Sequence, residues 1–565
     1  MPEESVRPLE RGLAVLRALA AGEQVRAGDL VRATGLARST VDRVVATLTR
    51  LGYVREHGQE LHLTPRLMEL GNAYLAASGL SGEVAARTAR LADELDESVS
   101  LAVPDGNGVR FVTQAARRRA MSVAFRIGDL LPAERCAPGA LFAAEWDEAQ
   151  WAAWRARVAT DPEGRAFPAL PPGPASPPPD LAGRVERSRA SGWALDDQLI
   201  EPGLIATAVP VRDTAGRARY ALSAVSHTSR HTAQGLADLV LPRLREEAAH
   251  LESLAAAQQH ADHADMTGPH AEEKSGPREQ PGAAKAALGP DFLQSLARGL
   301  SVLRALGAAH GDGLPLTAIA AATGLPRATA RRCLHTLELE GYAAHDGRLH
   351  RPLPRILELG YARLSRLGLP DIAEPHLRQL TGRVHQSASV TVLDGTDILY
   401  VARAATVRVM SVHIAPGTRF PAYPTAMGRV LLAGLPEQER ARLLAAAPPR
   451  PLTRRTLTDP AALSRLLDRA AADGYATADE ELEEGLRSVA VPIEDARGQV
   501  VAALNVAQHA GTAPLDQTVG ELLPALRETA AAIEADLHTA ARFNGALMPW
   551  RTYPPSFGGG ARSRT

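Results

Sequence analysis

The sequence predicts an α+β protein assembled from two copies of one plan: a winged helix-turn-helix domain followed by a larger strand-and-helix unit of sensor type. Three observations predict it. The stretch 32–53, RATGLARSTVDRVVATLTRLGY, recurs at 321–342 as AATGLPRATARRCLHTLELEGY, Gly35 and Gly324 lying 289 positions apart. Each stretch reads as a short helix, a glycine turn and a longer second helix with one apolar stripe. Beyond each, alternating apolar positions around an Asp-Gly turn indicate an antiparallel meander, with helices before and after it.

The elements follow in order. LERGLAVLRAL (9–19) opens the first copy and LARGLSVLRAL (296–306) the second. Their separation is 287, so the second copy holds two extra residues, placed in its loop 307–315. In the longer helix, Val41, Val44, Val45 and Leu48 fall at i, i+3, i+4 and i+7, as do Ala330, Cys333, Leu334 and Leu337. Opposite them stand Arg38, Ser39, Asp42 and Arg43, and Arg327, Ala328, Arg331 and Arg332. A packed back and a small, cationic front is the shape that enters a major groove. The wings turn at His57-Gly58 and Asp346-Gly347. Pro-started amphipathic helices are expected at 65–77 and 354–366.

The sensor units pair Asp105 with Asp394, Met121 with Met410, and Gly128 with Gly417. Later, GWALDDQLIEPGLIATAVPVRD matches GYATADEELEEGLRSVAVPIED at a separation of 282. The shortfall belongs to a Pro-rich surface insertion, 167–180, in the first copy. The expected domains are winged helix-turn-helix 1 (1–64), a connecting helix (65–82), sensor 1 (83–255), a flexible linker (256–289), winged helix-turn-helix 2 (290–353), a connecting helix (354–371), sensor 2 (372–545) and a disordered tail (546–565).

Composition narrows the function. At 565 residues, 45% hydrophobic and 22% charged, the chain is an ordinary multidomain globular one. Net charge is −1, so nucleic-acid affinity must come from local patches. The segment 291–366 holds ten Arg against six acidic residues, and 1–79 ten against nine; the second head should bind phosphate more strongly. Two cysteines suit a reducing compartment and no disulfide framework. The acidic start MPEESVRPLE is not a signal peptide, and no apolar run nears the roughly 18 residues of a membrane span. The expectation is a cytoplasmic protein with no membrane partner.

The motifs LxRGLxVLRAL, TGLxRxT, LExxGY, PxxLELG, PAYPTAMGRVLLA and EEGLRSVAVPI resemble IclR-type bacterial transcription regulators over nearly the whole chain, twice. That resemblance implies a GAF-like α/β effector-binding domain after each winged helix-turn-helix. The second copy is similar to the subgroup controlling aromatic-acid catabolism through the β-ketoadipate pathway, the PcaR/PobR type. The first copy departs from the pattern, with Cys136-Ala137-Pro138-Gly139 for Thr425-Ala426-Met427-Gly428 and Ile205-Ala206 for Arg487-Ser488.

Two sites are expected. Arg38, Ser39, Thr40, Asp42 and Arg43, with Arg327, Thr329, Arg331, Arg332 and the wing residue Arg348, would face DNA; arginine suits guanine edges and hydroxyls suit phosphate. Asp42 stands where Arg331 stands. Either the two heads read unequal half-sites, or Asp42 only pairs with a neighbouring arginine. Thr425 should cap a helix whose free amides at Ala426, Met427 and Gly428 form an anion site for a carboxylate effector. The resemblance adds Ser488, Asn505 and Ala507, with Glu480 or Glu481 nearby.

No catalytic fingerprint appears, and neither a metal site nor a cofactor is expected. Cys136 reads as a core thiol, and the aligned His227 and His509 as packing. The partners are then double-stranded DNA and a small carboxylate, with further self-association left open. A tether of about 30 residues spans on the order of 30 Å as a coil, near the half-site separation of about 34–36 Å, which suggests a covalent pseudo-dimer. The rivals are an enzyme targeted to DNA and a ligand-independent scaffold.

Overall fold

A computed structural model describes residues 5–22, 25–80, 82–117, 125–170, 180–265, 292–309, 313–406 and 414–543. The chain divides into two compact units, Met1–Arg366 with Arg542–Gly545, and Leu367–Ala541 with Ala546–Thr565. The first holds both winged heads and the first sensor domain; the second holds the second sensor domain.

The first head consists of helices Arg7–Ala21, Ala27–Thr34 and Arg38–Arg50. The last two are joined at Gly35, whose φ of +66° is the left-handed cap that glycine holds without strain. Helix Arg38–Arg50 buries Val41, Val44, Val45 and Leu48, the stripe read from the sequence. Strands Val54–His57 and Glu60–Leu63 form the wing, with Val25–Arg26 as a third short strand. The second head repeats this with Gln294–Ala305, Leu316–Thr323, Arg327–Leu339 and the hairpin Ala343–Asp346 to Leu349–Pro352.

The heads pack on each other through matching contacts. Thr336 Oγ1 accepts from the Val6 N–H at 2.9 Å, and Thr47 Oγ1 from the Leu293 N–H at 3.0 Å. Arg17 donates to Glu340 and to the Tyr342 hydroxyl at 3.0 Å, and Arg304 to Glu69 at 3.0 Å. The opening helices cross where side chains are absent. A Cβ on Gly12 would lie 2.3 Å from a Leu296 methyl, and one on Gly299 would lie 2.4 Å from a Leu9 methyl. Behind them Tyr361 donates to Asn72 Oδ1 in a buried bond of 2.9 Å between residues 289 apart, equivalent places in the two copies.

This packing corrects the two amphipathic connecting helices. Pro65–Leu67 is a 3-10 turn, and helix Met68–Ala77 buries Met68, Leu70, Gly71, Asn72, Ala73, Tyr74, Leu75 and Ala77, more than one face. The equivalent segment of the second copy, through Leu357 and Tyr361 at Gly71, covers the side that an amphipathic helix would turn to solvent. Downstream, 354–366 is not one helix. The 3-10 turn Pro354–Glu358 and the short helix Tyr361–Leu364 are separated at Gly360, with φ +111° and Leu63 and Leu67 against its backbone.

Both sensor domains carry a six-stranded antiparallel sheet of one topology. In the first unit the spatial order is Leu130–Pro132, Gly108–Ala115, Ser98–Asp105, Ala218–His227, Leu204–Arg212, Ala194–Asp197. In the second it is Arg419–Pro421, Asp397–Ala404, Ser387–Asp394, Val500–His509, Leu486–Glu494, Ala476–Asp479. Helices Ala426–Ala433 and Pro460–Asp473 pack together beside the second sheet, while Leu369–Val384 and Leu515–Ala541 form another pair against it. Helix Ala233–Asp265 runs past the expected domain end at 255. Residues 266–289 of the linker, most of the Pro-rich insertion, Met121, Met410 and the tail 546–565 lie outside the described residues. Among the described residues no helix is long and apolar enough to cross a membrane.

Gly299→Leu should overpack the head crossing and cost about 1–3 kcal/mol. A fall in the melting temperature of the heads checks this; an unchanged melt would show that the helices do not meet there.

Candidate nucleic-acid interface and effector cavity

The fronts of both longer head helices are open. Arg38, Ser39, Asp42 and Arg43 are exposed with Thr40 half-buried; Arg327, Arg331 and Arg332 are exposed with Thr329 half-buried. Arg348 is exposed in the wing turn between Ala343–Asp346 and Leu349–Pro352. The N-caps are Ala37 and Pro326, neither with a side-chain capping bond; the Thr40 and Thr329 amides bond the cap carbonyls at 2.9 and 2.8 Å, which leaves the amides of the two residues before each as donors for an incoming phosphate. Asp42 Oδ1 accepts from Arg38 Nε at 2.8 Å. That pair is exposed on both sides, at 62% and 51%, and is worth about 0.2–1 kcal/mol, little against a phosphate contact.

In the second sensor domain a cavity of about 660 Å³ opens beside the central strands. Thr425, Met427, Ser488, Asn505 and Ala507 line it. Three other expected residues do not. Ala426 is buried away from it, and the Gly428 N–H is taken by Thr425 Oγ1 at 2.9 Å. A Cβ on Gly428 would lie 2.0 Å from the Ala422 carbonyl oxygen, so this glycine lets the helix seat against the chain before it. Glu480 turns aside, accepting from the Gly485 N–H at 3.0 Å and pairing with Arg455 at 3.2 Å. Glu481 is occupied too, clamping the buried Arg429, which also donates to the Tyr423 and Thr477 carbonyls. The expected nest of three free amides is therefore corrected: the capping threonine consumes the Gly428 N–H and Ala426 does not line the cavity, which leaves Met427 of the three beside it.

Residues that sequence reasoning missed also line the cavity, Tyr400 and Arg403 foremost. Both lie on strand Asp397–Ala404, and burial pulls the Arg403 guanidinium below its usual range. The signal was present: an arginine in an apolar alternating strand, where the first copy has Gln114. Asn505 is buried, and its Oδ1 has no hydrogen-bond partner among the described residues.

The family model for the IclR helix-turn-helix domain matches residues 8–58 and 295–347, and that for the bacterial transcriptional regulator IclR C-terminal domain matches 72–253 and 361–535. The chain belongs to the IclR family. It is a tandem IclR-type transcriptional regulator. It is 45% identical to the Pca regulon regulatory protein of Pseudomonas putida over 42% of this chain and 81% of that protein. It is 35% identical to the Pca operon regulatory protein of Acinetobacter baylyi, covering 42% and 87%. A transcriptional regulator from Rhodococcus sp. RHA1 of known structure is 48% identical, covering 44% of this chain and all of that one, with a TM-score of 0.42.

The first IclR copy furnishes the same places differently. Phe111 and Phe125 stack at 4.7 Å and 7°, where the second copy has Tyr400 and Ile414 lining its cavity. Ala206 and Val225 replace Ser488 and Ala507. Cys136 replaces Thr425; buried, its thiol is pushed up to about 12, which makes it a core residue rather than a nucleophile. The buried arginine has changed helix, from Arg429 to Arg184, which donates to the Glu134 and Cys136 carbonyls at 2.7 Å. Asp196 occupies the place of Ala478, and burial raises its carboxyl to about 7, as it does Asp129. The aligned histidines are structural: His227 Nδ1 accepts from the Ser229 N–H and His509 Nδ1 from the Gly511 N–H.

Asp196 and Asp129 fix a pH dependence. The unfolded chain releases these protons near the ordinary carboxylate range and the folded chain only near 7. Between about pH 4 and 7 the unfolded state binds fewer protons, so this domain's stability falls as pH rises through that window. Four of the five tryptophans, Trp146, Trp151, Trp154 and Trp193, lie in this domain and report its unfolding. Asp196→Asn should flatten the slope of the fluorescence-detected melt; an unchanged slope would place the titration elsewhere.

Proposed function

We propose that this tandem regulator binds one operator through both heads as a covalent pseudo-dimer, and that a small aromatic carboxylate in the second sensor domain governs it. Equivalent residues touching each other, as Asn72 and Tyr361 do, is what a two-fold relation between copies produces, and it supports the pseudo-dimer reading. A true homodimer would place two like residues there. The fused chain places an amide and a phenol, which satisfy each other.

The cavity carries the effector reading. Arg403 supplies a half-buried cation for a carboxylate; Tyr400, Ile414 and Met427 supply apolar wall. Asn505 offers an acceptor whose burial costs free energy until a donor reaches it, and a ring hydroxyl is such a donor. A hydroxybenzoate presents all three features. The relatives' names point the same way, including a p-hydroxybenzoate hydroxylase transcriptional activator of Acinetobacter baylyi, 32% identical over 90% of its length. The first copy, with stacked phenylalanines and no counterpart of Arg403, acts as an architectural partner.

Isothermal titration of the full chain with hydroxybenzoates and β-ketoadipate tests this. One site per chain is expected, the ligand recovered unchanged. Arg403→Ala should weaken binding about 10–100-fold, the worth of a charged hydrogen bond. Two equal sites, or none, would end the reading.

The heads' fronts differ at Asp42 and Arg331, so unequal half-sites are expected. A carboxylate accepts from cytosine N4 and repels phosphate. Asp42→Arg should raise affinity, steepen the salt dependence by about one phosphate and make the half-site preferences more alike. Footprinting across substituted operators checks it; identical preferences in the original chain would leave Asp42 as a partner of Arg38 alone.

A further inference from the structure

The second head carries a cluster that the DNA reading does not use. Glu338, in the last turn of helix Arg327–Leu339, holds Oε1 3.0 Å from His350 Nδ1 and 3.2 Å from His345 Nδ1. The two histidines are direct cross-strand neighbours in the wing, with ring centroids 5.9 Å apart. The three donor atoms lie within 4.8 Å of one another. Glu338 and His350 are sheltered, at 19% and 18% exposure, while His345 is open at 56% and can swing to complete the set.

We propose that Glu338, His345 and His350 form a binding site for a divalent transition metal of the zinc class. Two imidazoles and one carboxylate are donors zinc takes, whereas magnesium and calcium want oxygen throughout. The geometry suits it. Bonds of about 2.0–2.1 Å in a tetrahedron set neighbouring donors roughly 3.3 Å apart, close to both measured separations. Each histidine turns Nδ1 inward, so metal binding requires the tautomer protonated at Nε2. The fourth position is left for water.

The site belongs to one head only. The first head has Thr49, Glu56 and Leu61 at the matching positions, a set without an imidazole. The three ligands join the C-terminal turn of the recognition helix to both strands of a hairpin, so a bound ion would clip the second wing to the second recognition helix. Hydrogen bonding alone offers a rival account of the cluster, with both rings donating to one carboxylate oxygen, and it predicts no metal uptake.

The test uses the full chain stripped with chelator, titrated with Zn²⁺ in competition with a chromophoric chelator and, separately, with Co²⁺. Histidines elsewhere bind equally in every variant, so the readout is the difference between proteins. The original chain should take up one more tight equivalent than His345→Gln/His350→Gln, and Co²⁺ should give a visible ligand-field band that the double variant lacks. Glu338→Gln, which preserves shape, should weaken that equivalent by more than the roughly 10–100-fold that an outer-sphere partner is worth. Equal uptake by the original and the double variant, with both folded by circular dichroism, would overturn the proposal. So would uptake unaffected by Glu338→Gln.

Discussion

The structure depends on one close approach, the crossing of helices Arg7–Ala21 and Gln294–Ala305 at Gly12 and Gly299. A leucine from each helix fills the space a Cβ would need on the other, so each glycine is complementary to the opposite copy. Around that contact the Arg17 and Arg304 clusters and the two threonine bonds repeat in matching form. Both heads bury apolar surface on each other that a single head would leave in water. That explains why helix Met68–Ala77 is apolar on more than one face, a pattern that makes no sense for one head alone.

Duplication has let the two sensor domains diverge without losing the sheet. Strand order is conserved between them, yet their interiors are filled by different physics. In the second copy, Arg429 is neutralised by Glu481 and polar groups remain facing a cavity. In the first, aromatic stacking, a relocated arginine and a carboxyl raised to about 7 occupy the corresponding space. The proposed effector role therefore rests on the second copy, whose cavity keeps Arg403 and Asn505 on its wall.

The heads have diverged on their surfaces while keeping their cores. The apolar stripes match position for position, but Asp42 opposes Arg331 and the Glu338, His345 and His350 cluster has no upstream equivalent. Core positions are held by packing, which tolerates little change; exposed positions are free to acquire separate chemistry.

The sequence by itself determined the repeat, the two winged heads, the apolar faces of their helices and the candidate DNA-facing residues. These rest on local periodicity and on turn residues such as Gly35 and Gly324, whose preferences act within a few residues. Thr425 as a helix cap was likewise local, since the capping bond spans three residues. Only the tertiary structure decided that 354–366 breaks at Gly360, that the Gly428 amide is spent, that Glu480 and Glu481 turn to arginines, and that Arg403 and Tyr400 face the cavity. Each of those outcomes is set by a partner distant in sequence, and the Glu338 cluster needs a helix and a hairpin to meet before its three donors share one space.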